Sequence, residues 1–224
     1  MPKLYVVGTP IGNLKDISQR ALEALGSVDL ILCEDTRVTK KLLAHYGIEK
    51  PMKRMDAHIE ASSAGKVTDL FESYERIALV SDAGTPTLSD PGDRLVRAAR
   101  SAGVAIEVVP GPAALTAALS VSGLPASEFT FLGFVPHKKG REKLFAEVAE
   151  STRTIVMYES PHRIMKTLSS LVTHLSSERT VVVARELTKL YESTISGTPQ
   201  EVFDHFTAYE EEQRGEFVVI VSGV

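Results

Sequence analysis

The stretch "ALVSDAGTPTLSDPG", Ala78 to Gly92, begins as a buried strand and then does not become a helix. Apolar residues from Ile77 to Val80 run into Ser81 and Asp82, after which come two glycines, two prolines and a second aspartate. A strand-to-helix connection needs only about two to six residues. A stiff, acid-tipped loop of this length asks for a ligand, and the rest of the chain narrows what that ligand is.

Working outward, "LYVVG" (4–8), "DLILCED" (29–35) and "VAIEVVPG" (104–111) read, with "RIALVSD" (76–82), as short β-branched strands. Apolar spacing near 3.6 predicts helices near 16–26, 36–46, 58–74 and 92–102. Asp16 and Thr36 are expected N-caps, and Gly26, Gly47 and Gly103 expected stops. Strand and helix in alternation predict a parallel sheet covered on both faces. Acids close four predicted strands: Glu34 with Asp35, Asp82, Glu159 and Glu186. In open α/β sheets ligands lie beyond the carboxyl ends of strands, so a cleft is expected at that edge.

Pro110, Gly111 and Pro112 break the pattern, and an Ala-rich helix follows that ends near Gly123. We place a domain boundary here, giving an N-terminal domain over 1–112 and a C-terminal domain over 113–224. The second half carries strands "FTFLGFVP" (129–136), "TIVMYES" (154–160), "TVVVARE" (180–186), "YESTISG" (191–197) and "EFVVIVSG" (216–223), with helices near 141–150, 161–173 and 199–209. Parallel strands need a crossover of roughly a dozen residues or more. The short gap before "YESTISG" therefore predicts a hairpin and a mixed sheet. The fold class read from the sequence is α/β, with two domains in tandem.

The chain of 224 residues is 43% hydrophobic and 24% charged, a composition typical of soluble globular proteins. No apolar run approaches the roughly 18 residues needed to span a bilayer, and "MPKLYVVGTP" lacks the features of a signal peptide. Cys33 is the single cysteine, which excludes an intrachain disulfide and a thiolate zinc site. The expectation is a cytoplasmic protein without membrane association. The net charge of -4 and pI near 5.9 argue against a surface devoted to gripping nucleic acid. RNA contact would have to be local. "KKLLAHYGIEKPMKRMDAH" (Lys40 to His58) and "PHKKGREK" (Pro136 to Lys143) could supply it, or could be solvated surface charge.

"VVGTPIGN" (Val6 to Asn13) occupies the place of a dinucleotide fingerprint but lacks its glycine spacing, and Pro10 has no amide hydrogen to offer a pyrophosphate. No G-x-x-x-x-G-K-[ST] loop and no G-x-S-x-G elbow occurs. The histidines lack metal-ligand spacing, so no metal is expected. Loops stiffened by Pro10, Pro86 and Pro110 suit a ligand without phosphates, such as adenosine with an amino-acid tail.

Taken in order, "LYVVGTPIGNLKDIS", "CEDTRVTKKLL", "LVSDAGTPTLSDPG", "VVPGPAALTAALSVSGLP", "FLGFVPHKKGRE", "YESPHRI" and "ARELTKLYE" resemble the 2′-O-ribose methyltransferase family of bacterial small-subunit ribosomal RNA. That family belongs to the tetrapyrrole methylase class of S-adenosylmethionine-dependent methyltransferases. The resemblance runs through nearly the whole chain. It implies two α/β domains with the cofactor in the cleft between them, a homodimer, and 2′-O-methylation of a cytidine ribose in 16S ribosomal RNA within the assembled 30S particle. Members often carry a further short helical extension beyond the strand that "GEFVVIVSGV" resembles. Two other readings remain open: a methyltransferase of the same fold acting on a tetrapyrrole, or a non-catalytic ribosome-assembly binder.

By the same resemblance, S-adenosyl-L-methionine would meet Pro10 and Ile11, the loop Asp82, Ala83, Gly84 and Thr85, the helix start at Ala114 and Leu115, and Tyr158 and Ala184. A base that takes the ribose proton could add roughly 10²–10⁴-fold to the rate. Asp35, Glu186 and Lys189 are the candidates. Arg37 and Arg185 could pin neighbouring phosphates by bidentate pairing, and Lys138, Lys139 and Arg141 could form a mobile RNA clamp. "EDTR" could equally be a helix cap with a surface arginine. Tyr158 or Phe134 could stack a base, although the core is the expected place for Phe134.

Overall fold

The computed structural model describes residues 2–55 and 64–224. The start of the helix expected over 58–74, and His58 at the end of the first basic stretch, lie outside them. The chain divides into two compact units, Met1–Ala113 and Ala114–Val224. Among the described residues no helix is long and apolar enough to cross a membrane.

In the first unit, β1 (Lys3–Val7), β2 (Leu30–Cys33), β3 (Met52–Arg54), β4 (Arg76–Leu79) and β5 (Ala105–Val109) form a wholly parallel sheet in the order β3-β2-β4-β1-β5. Among the described residues four helices accompany it: α1 (Gln19–Ser27), α2 (Thr36–His45), α3 (Ala64–Ser73) and α4 (Asp93–Ser101). On one face Leu4, Leu32, Ile77 and Leu79 pack with Leu70, Phe71, Leu95 and Ala99 of α3 and α4. On the other, Val7, Ile31, Ala78 and Val80 pack with Ala21, Leu25 and Leu43 of α1 and α2. Burial on both faces is why the inner strands β2 and β4 are nearly continuous apolar runs rather than alternating ones. The helices that follow the adjacent strands β1 and β4, α1 and α4, thus lie on opposite faces. In open α/β sheets such a reversal marks where ligands bind, beyond the strands' carboxyl ends.

Three local expectations are corrected. Ser18 caps α1, its hydroxyl accepting the Ala21 amide, while Asp16 sits in a preceding 3-10 turn (Leu14–Asp16). Asp35 caps α2 through the Arg37 amide, not Thr36. Gly26 lies inside α1, and Ser27 ends it. Strand β3 had no signal, because "MKR" is a short polar segment. It forms the sheet edge, where exposed charged side chains also discourage pairing with another chain.

In the second unit, β6 (Phe129–Phe134), β7 (Thr154–Glu159), β8 (Val181–Arg185), β9 (Ser193–Gly197) and β10 (Phe217–Val221) lie in the order β6-β7-β10-β8-β9. β6 and β7 are parallel and the other pairs antiparallel, including the β8–β9 hairpin. Helices α6 (Arg141–Glu150), α7 (Ile164–His174) and α8 (Pro199–Ala208) cover one face through Phe145, Leu168, Leu171 and Phe206. Helix α5 (Ala114–Ser122) packs on β8, β9 and β10. Thr198 and Glu201 form a capping box at α8, with Pro199 in its first turn.

Candidate active site

Backbone groups build the strand-end edge of the first unit. The loops leaving β1, β4 and β5 come from three neighbouring strands and are stitched together. The Gly8 amide donates to the Val109 carbonyl at 3.0 Å, the Thr9 amide to the Gly84 carbonyl at 2.8 Å, and the Gly84 amide back to Thr9 at 3.2 Å. The buried Thr9 hydroxyl lies 3.2 Å from the Ser81 carbonyl and 3.3 Å from that of Gly84. The Thr85 hydroxyl donates to the Pro112 carbonyl at 3.2 Å. A β-carbon on Gly8 would stand 2.7 Å from the Gly111 nitrogen, so the first and third loops touch main chain to main chain.

The opening loop is strained as well as clasped. Gly84, Thr87, Ser89 and Gly92 hold φ of 85, 73, 67 and 131°. For Thr87 and Ser89 this region costs on the order of 1–3 kcal/mol each, and it persists only where the surroundings over-determine the backbone. Pro10 and Ile11 are buried, and Ile11 Cγ2 lies 3.3 Å from where a Gly84 β-carbon would be. The expected donor contacts of this unit, Pro10, Ile11 and Asp82 to Thr85, therefore share one rim.

Carboxylates surround that rim. Asp82 Oδ1 accepts the Asp35 amide at 2.9 Å, joining the β4 loop to the start of α2. Burial, with the negative charges of Asp82 and Asp90 adding, pushes the Glu34 carboxyl above its ordinary range. Burial and Asp82 push Asp90 up as well, against a hydrogen bond from Ser81. Asp35 behaves oppositely: the Arg37 side chain, at 2.6 Å, and the Arg37 amide hold its carboxyl down to about 2. "EDTR" is thus a helix cap carrying an exposed, paired arginine.

In the second unit Tyr158, Val218, Ala184 and Thr194 stand side by side in one row across β7, β10, β8 and β9. The Tyr158 hydroxyl accepts the Leu115 amide at 3.1 Å, satisfying one open donor of the first turn of α5. Three of the residues expected to meet the donor, Tyr158, Ala184 and Leu115, are hence tied to one face, with Ala114 beside Leu115. Ala184 itself is fully buried.

The turn after β8 is the second strained segment, with Glu186 and Thr188 at φ of 49 and 66°. Lys189 bridges Glu186 at 2.8 Å and Glu216 at 2.9 Å. Burial opposes the charged form of both partners, but their pairing prevails. Glu186 is held below the usual carboxylate range and Lys189 above the usual ammonium range.

Two expected RNA contacts are corrected. Arg141 is 3% exposed, with its guanidinium on the Pro136 carbonyl and the Thr167 hydroxyl. Arg185 is 8% exposed and donates to the Arg214 and Tyr191 carbonyls. Neither guanidinium faces solvent to meet a phosphate. Lys138 and Lys139 are exposed. Phe134, expected in the core, is 54% exposed and packs edge-on against Tyr158. The sequence reading missed Asp90 as part of the acidic rim and Thr9 as its buried clasp. Their signal was present in "SDPG" and "VVGTP", but only the fold puts the two loops together. Among the described residues no cluster of histidine, cysteine and acid groups could hold a metal.

A protein named "Ribosomal RNA small subunit methyltransferase I" from Xylella fastidiosa (strain Temecula1) is 50% identical over 221 residues, 98% of this chain and 81% of its own. Proteins of the same name from Vibrio cholerae and Thermotoga maritima are 49% and 43% identical, covering 99% and 100% of this chain and 77% and 99% of theirs. A family profile described as Tetrapyrrole (Corrin/Porphyrin) Methylases matches residues 3–202. The chain belongs to the ribosomal RNA small subunit methyltransferase I family of tetrapyrrole methylases. Solved structures of uroporphyrin-III-C-methyltransferase from Thermus thermophilus and of the methyltransferase CobJ share its fold. Their TM-scores are 0.67 and 0.69, each at 19% identity, over 99% and 100% of this chain and 94% and 95% of theirs.

Proposed function

We propose that this protein transfers a methyl group from S-adenosylmethionine to the 2′-hydroxyl of a cytidine ribose in 16S ribosomal RNA, within the 30S particle. The observation that carries the reading is the strained, main-chain-clasped rim at the carboxyl ends of β1, β4 and β5, edged by Asp82, Glu34 and Asp90. A rim of carboxylates with prolines in its turns repels phosphate and favours a ligand bearing positive charge. S-adenosylmethionine, with a sulfonium and an ammonium group, fits that chemistry. Relatives at 43–50% identity bearing the ribosomal RNA methyltransferase name support the acceptor.

When bound, the donor supplies a methyl group already activated by its sulfonium. The protein must then orient the acceptor and receive a proton. Pro10, Ile11, Ala83, Gly84 and Thr85 hold the donor by rigid main chain. Tyr158, Ala114 and Leu115 form the donor-facing surface of the second unit, with Ala184 buried in the same row as Tyr158. A useful base has a pKa near the working pH. Asp35 is too acidic, Lys189 is held protonated, and Glu186 is committed to Lys189, so these three serve as charge holders for the rim and the β8 turn. Glu34, whose carboxyl burial and the charges of Asp82 and Asp90 push above its ordinary range, takes the proton in this reading. Lys138 and Lys139 attract the RNA backbone, Arg37 adds an exposed cation, and Phe134 offers a face to a base.

Incubation with methyl-labelled S-adenosylmethionine tests the reading. Label on small ribosomal subunits supports it, label on a tetrapyrrole overturns the acceptor, and binding without transfer makes the protein an assembly factor.

A further inference from the structure

The basic loop after β6 is pinned from beneath by a closed ring of hydrogen bonds. Arg141 donates one guanidinium nitrogen to the Pro136 carbonyl at 3.3 Å and another to the Thr167 hydroxyl at 2.9 Å. Thr167 donates onward to Glu159 Oε2 at 2.6 Å. Glu159 Oε1 meets Arg163 at 2.9 Å, and Arg163 donates to the Val135 carbonyl at 2.6 Å. The ring thus starts and ends on the consecutive carbonyls of Val135 and Pro136. Arg141, Thr167 and Glu159 are 3%, 0% and 2% exposed.

Placing a buried and a part-buried guanidinium around one buried carboxylate is a poor source of stability, since apolar residues of similar volume often do as well. What such a ring supplies is fixed geometry. The Arg141 amide also donates to the Lys138 carbonyl at 3.3 Å, and its guanidinium lies over the Phe145 ring, 4.9 Å from the centroid. Lys138 and Lys139 therefore stand on a turn anchored at Val135 and Pro136 on one side and at Arg141 on the other. The carboxylate at the centre of the ring directly follows Tyr158 in β7.

We propose that Arg141 is a positioning residue for RNA: through Thr167 and Glu159 it fixes Lys138 and Lys139 in place relative to Tyr158. The proposal rests on the reading that this loop binds ribosomal RNA, and it replaces direct contact by Arg141.

The test compares Thr167→Val, which keeps the shape and removes the hydroxyl, with Thr167→Ser, which keeps the hydroxyl. In the full-length protein, Thr167→Val should speed trypsin cleavage after Lys138 and Lys139 severalfold. It should also raise KM for small ribosomal subunits about tenfold, with kcat changed by less than about twofold. Thr167→Ser should restore both values. In a Lys138→Ala/Lys139→Ala background the valine substitution should add nothing to KM, the non-additivity expected of residues acting through one another. Additive losses, or unchanged trypsin cleavage in Thr167→Val, would overturn the proposal. If the double lysine variant alone leaves KM unaltered, the RNA reading of the loop fails, and the trypsin result still decides the anchoring. Should Thr167→Val not fold, Arg141→Met takes its place with the same readouts.

Discussion

Asp82 accepts the backbone amide of Asp35 at 2.9 Å, so the acidic tip of one strand-end loop holds the first residue of the cap of the neighbouring helix. Replacing Asp82 by Ala removes both a carboxylate from the rim and the tie between two loops. We expect the affinity for S-adenosylmethionine to fall at least about tenfold, the ratio that corresponds to roughly 1.4 kcal/mol. Titration calorimetry measures it directly. Unchanged affinity would remove this loop from the donor site.

Gly8→Ala should destabilise the first unit by about 1–3 kcal/mol, the usual cost of forcing an extra methyl into close-packed surroundings. The added carbon would stand 2.7 Å from the Gly111 nitrogen, and main chain cannot swing away as a side chain can. Urea denaturation checks this, and a neutral result would mean that the β1 and β5 loops do not meet.

Asp90 carries a cost of ionisation that the fold tolerates. Its folded pKa lies above the unfolded one, because burial and Asp82 disfavour the charge. Below the unfolded value both states are protonated and the group contributes nothing, whereas above the folded value the native state bears an unfavourable charge. Asp90→Asn should therefore raise the melting temperature at neutral pH, with the gain fading as pH falls through the carboxylate range. Donor affinity should drop in the same variant, since the rim loses negative charge. A substitution that stabilises nothing at neutral pH would refute the burial argument.

Glu34 makes a kinetic prediction. The rate of methyl transfer should rise with pH as the raised Glu34 carboxyl deprotonates. Glu34→Gln should lower kcat by roughly 10²-fold or more and abolish that acid limb. An intact limb in the glutamine variant would place the proton acceptor elsewhere.

The strands and most helices were legible because burial on both faces writes itself as uninterrupted apolar runs, as at Ile77 to Val80. β3 was not, since a short edge strand needs few apolar residues and "MKR" looks like surface charge. Arg141 and Arg185 were misplaced for a related reason. A charged residue type reads as exposed unless its partners are known, and those partners, Thr167 and the Arg214 carbonyl, are distant in the chain. Phe134 erred the other way: it ends an edge strand, where an aromatic ring need not be covered. The loop glycines and prolines signalled stiffness, but positive φ at Thr87 and Ser89 has no residue-type signature. The pairing of Thr9 with Gly84 is a product of strand order alone.

Methyl transfer to purified small ribosomal subunits, followed by nucleoside analysis of the digested RNA, is the most direct measurement. The account predicts label on the 2′-oxygen of a single cytidine. Label confined to a base, or none on RNA while the protein still binds the donor, would contradict it.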